Sequence, residues 1–376
     1  MSRMRVLLII ESMGGSSRHV ADLIRGLDPS LFDIELIYGT SRIDDYFAQA
    51  LPELAKLATL RPCDDLVREI EPKRELRALR FVIREIRAFR PNIVHCHSSK
   101  AGVIGRVAAK LCHVNKVFYT PHAYSFLAPE FSGKKRDVFI MIERMLSRHA
   151  TTLTFNVSDG ERKAAIAERL DKPSKFRTLY NGLADVRLPD RREARARLGL
   201  DLPDDAKLVG STARLVEQKD PMTSVAIAAK LIERHPELHV AYIGDGPYLE
   251  SMKDVARQHD VLDNIHFLGY RADADHVVAA FDVYLLTSLY EGLPYSLVES
   301  LRAGVPVAAT DVTGNNEVVD RPSSGRLFPS KDVEAGVAAV EDLLAHPIPR
   351  EQARQGYLDR FTMDAMLGAI TEVYRQ

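Results

Sequence analysis

The sequence predicts an α/β chain built as two Rossmann-like domains, on three observations. Short apolar runs alternate with stretches of helical period along the whole chain. Near residues 185–192 this alternation gives way to a polar stretch, and a second cycle of the same kind starts at Lys207. The length of 376 residues also exceeds what one core ordinarily serves, since domains run to roughly 100–200 residues. Repeated strand–helix units with short connections imply parallel sheets covered by helices on both faces. The expected division is 1–185, 186–361 and a last helix, 362–376, packing back on the first domain.

Composition narrows the class. A hydrophobic content of 46% with 27% charged residues is that of an ordinary globular protein. No run of 18 uncharged apolar residues occurs, and the run at 6–10 is too short for the core of a signal peptide; a cytoplasmic protein is expected. Cys63, Cys96 and Cys112 are odd in number and lack metal-ligand spacing, so they are expected as small buried hydrophobes in a reducing compartment. Residues 1–185 carry 30 Lys+Arg against 22 Asp+Glu, and the rest 21 against 30. A basic amino half suits an anionic surface such as a membrane, or a phosphate-bearing substrate. Solvated helix faces explain the imbalance equally well. No nucleic-acid partner is expected.

The run 5–10 reads as a buried strand closing in Glu11-Ser12-Met13-Gly14-Gly15-Ser16-Ser17, after which Val20, Leu23, Ile24 and Leu27 recur with helical period. Strand, glycine loop and helix make a phosphate-cradle arrangement. Gly14 and Gly15 let backbone approach a ligand, and Ser16 or Ser17 is the expected N-cap. The three-glycine dinucleotide fingerprint is absent, and a Gly-Gly turn by itself is more often structural than functional.

Strands follow at 33–39 and 56–60, then a helix at 73–90 with Leu76, Leu79, Val82, Ile83 and Ile86 on one face and arginines opposite. A strand at 92–98, a small-residue helix at 101–112 and a strand at 116–120 continue the alternation. His95 and His97 share one strand face, a spacing compatible with metal. No acidic third ligand lies close by, which favours core or supporting roles. His122, directly after a strand, is the stronger candidate, placed to reach the mouth of the sheet where the Gly14-Gly15 loop emerges. The stretch 130–148 mixes Lys134, Lys135, Arg136, Arg144 and Arg148 with Val138, Met141, Met145 and other apolar residues. It suits a membrane surface, although a core helix with a snorkelling basic rim is the favoured reading. Strands at 151–158 and 176–180 flank a helix at 159–170, Asn181-Gly182 turns the chain, and 185–192 reads as a linker.

In the second cycle a strand at 208–213 leads into Arg214-Leu215-Val216-Glu217-Gln218-Lys219, and Pro221 is well placed to begin the helix that runs to His235. Arg214 and Lys219 thus project from a strand-to-helix loop and suit a diphosphate clamp, arginine forking two oxygens and lysine acting as a point charge. Strands at 239–243 and 264–268 close in Gly244-Asp245-Gly246-Pro247 and Gly269-Tyr270-Arg271. The strand 282–288 precedes a loop holding Glu291 and a helix holding Glu299, and strand 305–310, the turn 313–317 and a helix at 363–374 complete the chain. Open α/β sheets bind ligands at the carboxyl ends of their strands. Two carboxylates that accept hydroxyl hydrogen bonds and a helix N-terminus that attracts anions suit a sugar nucleotide.

Taken in order, Met13-Gly14-Gly15, His97-Ser98-Ser99-Lys100-Ala101-Gly102, Thr120-Pro121-His122-Ala123-Tyr124, Tyr180-Asn181-Gly182, Ala213 to Lys219, Ile243 to Pro247, Phe267 to Tyr270 and Glu291-Gly292-Leu293-Pro294 with Glu299 are specific as a set. The chain resembles, from end to end, the family-4 glycosyltransferases, retaining enzymes of the GT-B fold, and among them the bacterial members that build cell-surface polysaccharide. The resemblance implies two Rossmann-like domains facing each other across a cleft. It implies that Arg214 and Lys219 hold a donor diphosphate, that Gly14 and Gly15 close over it, and that Glu299 takes the ribose hydroxyls. Glu291, with Gly292 and Leu293, would meet the donor sugar, His122 would contact that sugar on the acceptor side, and Gly246 and Tyr270 would hold the base. No metal and no cofactor are expected, because the two cations neutralise the leaving diphosphate. Where many members read Gly-Gly-x-Pro-Glu this chain reads Thr313-Gly314-Asn315-Asn316-Glu317, and Glu-Gly-Phe-Gly is here Glu291-Gly292-Leu293-Pro294.

The expected function is transfer of a hexose from a nucleotide diphosphate sugar, with a uridine diphosphate sugar as donor, to a lipid-linked saccharide acceptor, with retention at the anomeric carbon. Peripheral attachment to the inner face of the cytoplasmic membrane is the matching location. The competing readings are a sugar-nucleotide-binding protein that does no chemistry and another GT-B enzyme such as a nucleotide-sugar epimerase.

Overall fold

The computed structural model describes residues 3–11, 13–128 and 131–376, so Ser12 of the glycine loop and Glu130 of the basic stretch lie outside the described residues. The chain divides into two units, Met1–Gly182 with Met363–Gln376, and Leu183–Thr362.

In the first unit the strands are β1 (Met4–Ile10), β2 (Phe32–Gly39), β3 (Thr59–Cys63), β4 (Ile93–His97), β5 (Lys116–Thr120), β6 (Leu153–Asn156) and β7 (Phe176–Thr178). All pair in parallel in the order β3-β2-β1-β4-β5-β6-β7. The central strand explains its own sequence. Val6 to Ile10 are fully buried because both faces of the sheet are covered, and a strand so placed reads as an unbroken apolar run. Its side chains alternate between layers: Val6, Leu8 and Ile10 join the cluster that holds Leu23 and Ile24, while Leu7 and Ile9 join the one that holds Val82 and Ile104.

The last helix, Met363–Arg375, belongs to this unit. It buries Met366, Ile370, Val373 and Tyr374, a helical stripe, and the Tyr374 ring stacks on Phe118 with centroids 5.4 Å apart. Cys63 and Cys96 are buried and Cys112 half-buried.

Several elements differ from the sequence reading, among them the helices Leu249–Gln258, Val333–Ala345 and Arg350–Arg360, where no element was expected. A helix, Asp45–Leu57, stands where a strand at 56–60 was expected to begin, and β3 starts at Thr59, three residues later than expected. The Asp44 carboxylate caps this helix through the Phe47 N–H at 2.8 Å, and its buried stripe is only Phe47, Ala50 and Leu54, with Pro52 masking the period. The strand β3 lies at the sheet edge with most of its residues exposed, so it has little apolar signature. The expected linker 185–192 likewise runs into a helix, Arg191–Leu198, capped by Asp190. Its polar sequence conceals a buried face on which Arg195 meets Asp282 Oδ2 at 3.0 Å and the Ala206 carbonyl at 2.8 Å.

The second unit holds β8 (Leu208–Thr212), β9 (His239–Ile243), β10 (Ile265–Phe267), β11 (Val283–Leu286), β12 (Val307–Thr310) and β13 (Gly325–Phe328), parallel in the order β10-β9-β8-β11-β12-β13. Both units are Rossmann-like α/β sheets. In each, strand order reverses once, between β1 and β4 and between β8 and β11. At such a reversal the loops leaving the two strands turn to opposite faces of the sheet, which is where open sheets take ligands.

Among the described residues no helix is long and apolar enough to cross a membrane. The helix Lys134–Ala150 buries Ile140, Glu143 and Leu146 on one side, as a core helix does. The opposite side exposes Val138, Met141 and Met145 beside Lys134, Lys135 and Arg148. Glu143 pairs with the fully buried Arg106 at 2.9 Å.

Candidate functional site

In the second unit the loops after β8, β9, β11 and β12 leave one sheet edge and are tied to one another. Ala213 N–H donates to the Ile243 carbonyl at 3.0 Å and Leu215 N–H to that of Asp245 at 2.9 Å. Leu289 N–H reaches the Gln218 carbonyl at 2.8 Å, and the Gln218 amide returns to the Tyr290 carbonyl at 3.0 Å. The Thr287 hydroxyl bridges the Lys219 and Asp220 carbonyls at 2.9 Å each. Asp220 itself adopts φ +45 and caps the helix Pro221–Arg234, so the chain turns sharply just after Lys219.

That framework sets the charged groups. The Lys219 ammonium pairs with Glu291 Oε1, and the Ser288 hydroxyl donates to the same oxygen at 2.6 Å. The two charged side chains are 16% and 7% exposed, so the pair is shielded on the protein side and open at one end. Arg214, on the same loop, is exposed and enters no ion pair among the described residues. Lys219 and Glu291, assigned to different parts of a ligand on sequence grounds, thus hold each other here.

Gly292 and Leu293 are buried in the turn that follows Glu291. Gly314 supports that turn from β12: it sits at φ +86, and a Cβ there would lie 2.4 Å from the Gly292 carbonyl oxygen. Glu299 lies on the helix Tyr295–Arg302 and is 6% exposed. Its charge, after burial itself and the hydroxyls of Ser296 and Thr212, acts on the Tyr284 phenol, which burial pushes above its ordinary value. Gly246 packs its α-carbon against the Leu215 carbonyl. The neighbouring Gly244 N–H donates to the Gly269 carbonyl at 2.8 Å, bringing the exposed Tyr270 beside the β9 loop.

In the first unit the glycine loop differs in detail from expectation. Gly14, at φ +81, is the N-cap of the helix Gly15–Gly26, because a residue with φ above zero ends the extended loop without a Cβ penalty. Ser16 and Ser17 are therefore not caps. They lie in the first turn, with hydroxyls donating back to the Met13 and Gly14 carbonyls at 3.3 and 2.8 Å. Gly14 N–H donates to Asp44 Oδ2 at 2.7 Å, so Asp44 anchors both the loop and the next helix. Sequence reasoning missed Asp44, although its place ahead of a helical run is an N-cap signature.

Four histidines gather at the carboxyl edge of this sheet. His95 is a core residue, with Nδ1 2.6 Å from the Tyr374 hydroxyl and Nε2 2.8 Å from the Thr120 hydroxyl. His97 Nδ1 lies 3.1 Å from His122 Nε2, and the His19 ring meets that of His122 edge-on at 4.9 Å. Burial holds His122 well below the ordinary histidine range, with the neighbouring imidazoles adding to it. His122 and Ala123 both have positive φ, a strained pair of non-glycine residues. Glu161 fixes them by accepting the Ala123 N–H with one oxygen and the Val157 N–H with the other, at 3.0 Å. His19 and Glu161 carried no signal in the sequence that set them apart from other helix residues.

A separate depression of about 820 Å³, lined by Arg3, Arg87, Arg90 and Lys116 among others, opens where β1 and β5 begin. It holds none of these residues and plays no part in the site.

Two family models match the chain, that of the Glycosyltransferase Family 4 over residues 13–187 and that of the Glycosyl transferases group 1 over residues 191–357. The chain is 25% identical over 320 residues to the UDP-Gal:alpha-D-GlcNAc-diphosphoundecaprenol alpha-1,3-galactosyltransferase of Escherichia coli, covering 82% of this chain and 81% of that one. It is 26% identical to glycosyltransferase EpsF of Bacillus subtilis (strain 168), over 99% and 97% of the two chains. Among solved structures, Anabaena Alr3699/HepE in complex with UDP-glucose superposes with a TM-score of 0.81 at 19% identity, over 99% of this chain and 100% of that one.

Proposed function

Because the chain belongs to the family-4, group 1 glycosyltransferases, we propose that it transfers a hexose from a uridine diphosphate sugar to a hydroxyl of a lipid-linked saccharide, with retention, in building a cell-surface polysaccharide. Relatives named for undecaprenyl-linked, lipopolysaccharide and O-antigen glycan synthesis support this setting. So does the UDP-glucose held by a structural neighbour.

The observation that carries the reading is the group at the reversal of the second sheet: exposed Arg214, and Lys219 paired with a buried Glu291 that Ser288 also holds. An arriving diphosphate offers Lys219 a stronger anion. As the lysine turns toward it, Glu291 is released to accept hydroxyl hydrogen bonds from the donor sugar. Glu299 takes the ribose hydroxyls, and the backbone near Gly246 with Tyr270 takes the base. In the first unit, the roles proposed are the diphosphate for Gly14 and Gly15 and the acceptor side of the sugar for the neutral His122.

In the transfer the bond from the anomeric carbon to the diphosphate oxygen breaks, and the acceptor oxygen bonds to that carbon on the same face. The acceptor proton passes to a departing phosphate oxygen. Charge grows on the diphosphate as this happens, and Arg214 with Lys219 stabilises it without a divalent ion, which is the largest contribution such a site makes. The exposed apolar stripe Val138, Met141 and Met145 with its flanking cations suits peripheral attachment to an anionic bilayer, where a lipid-linked acceptor resides. Incubating the enzyme with α-linked UDP-hexoses and undecaprenyl-diphosphate saccharides in excess EDTA tests the reading. The product should carry an α-linkage by NMR, and a β-linked product or an absolute requirement for added divalent ion rejects it.

A further inference from the structure

Three imidazoles on three different segments meet at the carboxyl edge of the first sheet; His19 and His97 each keep one ring nitrogen without a partner among the described residues, and His97 Nδ1 lies 3.1 Å from His122 Nε2, where an ion would replace the proton the two rings share. His19 lies on the helix Gly15–Gly26, His97 ends β4 and His122 follows β5, and one nitrogen from each falls within 4.8 Å of the other two. His19 and His97 are fully buried, and Nε2 of each has no hydrogen-bond partner among the described residues. The other nitrogen of His19 shows why its Nε2 is an acceptor. Nδ1 lies 3.1 Å from Asn181 Oδ1, which can only accept, so Nδ1 carries the proton and Nε2 keeps its lone pair. Metal-binding histidines are held in this way, one ring N–H given to an oxygen so that the other nitrogen faces the ion. His95, two residues from His97, differs: both of its nitrogens are engaged, by Tyr374 and Thr120.

We propose that His19, His97 and His122 form a binding site for a divalent transition-metal ion, zinc foremost, with Asn181 orienting His19. The donor set selects the metal. Three imidazoles without carboxylate or thiolate disfavour magnesium and calcium, which take oxygen ligands, and suit zinc, cobalt, nickel or copper. Tetrahedral bonds of ~2.05 Å set nitrogens ~3.4 Å apart. Closure from 4.8 Å therefore asks for a shift of roughly 1.4 Å, and the half-buried His122, whose ring can turn on its side-chain bonds while Glu161 holds the backbone beside it, is the ligand placed to make it. A fourth position stays open for water or a substrate hydroxyl. Occupancy withdraws His122 from a donor sugar. That consequence rests on the role proposed above for His122, whereas metal binding does not.

The test is titration of chelator-stripped, untagged full-length protein with Co²⁺, followed by visible absorption. One equivalent should give the intense spectrum of a four-coordinate ion, and Zn²⁺ should displace it. His97→Gln should weaken Co²⁺ binding at least about 100-fold, and Asn181→Ala, which removes only the orienting partner, by about 10- to 100-fold. Absence of that spectrum in the wild-type protein overturns the proposal. So does wild-type affinity in Asn181→Ala, a variant that keeps all three imidazoles and so reads out even if His97→Gln does not fold.

Discussion

Replacing Lys219 by alanine separates two roles of one side chain. In the free protein Lys219 neutralises Glu291, whose carboxylate is 7% exposed; in the working enzyme it holds a diphosphate. Removing one partner of a buried ion pair costs about 3–5 kcal/mol. Here the cost falls nearer 2–3 kcal/mol, because the lysine is itself partly exposed and Ser288 still donates to Glu291 at 2.6 Å. For a unit of this size that is a fall of roughly 5–10 °C in the Tm of the second unit's transition. Turnover should drop about 100- to 1,000-fold, the effect of losing one group that stabilises transition-state charge. The double variant Lys219→Ala/Glu291→Gln removes the orphaned charge and should recover most of the stability and none of the turnover. Calorimetry and initial-rate transfer assays read the two effects. A Lys219→Ala protein with unchanged Tm and rate would refute the reasoning, and so would a double variant as unstable as the single one.

Three further outcomes follow from the same geometry. Glu299→Ala should raise the donor KM about tenfold with little change in kcat, whereas Glu291→Ala should mainly lower kcat; equal effects would contradict the division between ribose and sugar. Gly314→Ala puts a Cβ 2.4 Å from the Gly292 carbonyl at φ +86, which should destabilise the second unit by about 2 kcal/mol in urea unfolding and slow transfer by displacing Glu291. Met141→Glu and Met145→Glu, on the exposed side of the helix Lys134–Ala150, should reduce flotation with phosphatidylglycerol vesicles several-fold, and unaltered flotation removes this face from the account.

What the sequence disclosed and what it hid follow a physical line. Strands buried on both faces, such as β1 and β12, read as apolar runs, and the loops that end them were visible as glycine- and charge-bearing interruptions. The helices Asp45–Leu57 and Arg191–Leu198 bury a narrow stripe each, so periodicity passed over them, and the mostly exposed edge strand β3 was expected three residues too early. Pairings across long separations were hidden altogether. Lys219 meets Glu291 only because β8 and β11 are neighbours at the point where strand order reverses. Gly14 meets Asp44 through a capping carboxylate with an oxygen to spare. His19 looked like any residue of an amphipathic helix, and only the packing of that helix on β1, which neighbours β4 in the sheet, places it against His97 and His122.

The central claim is that the second unit grips a nucleoside diphosphate through Arg214 and Lys219 without a metal ion. Isothermal titration with UDP in excess EDTA tests it most directly. The account predicts one site per chain, weakened at least about tenfold, or 1.4 kcal/mol, by Arg214→Ala. Failure to bind UDP under these conditions, or equal affinity in the Arg214→Ala protein, would contradict it.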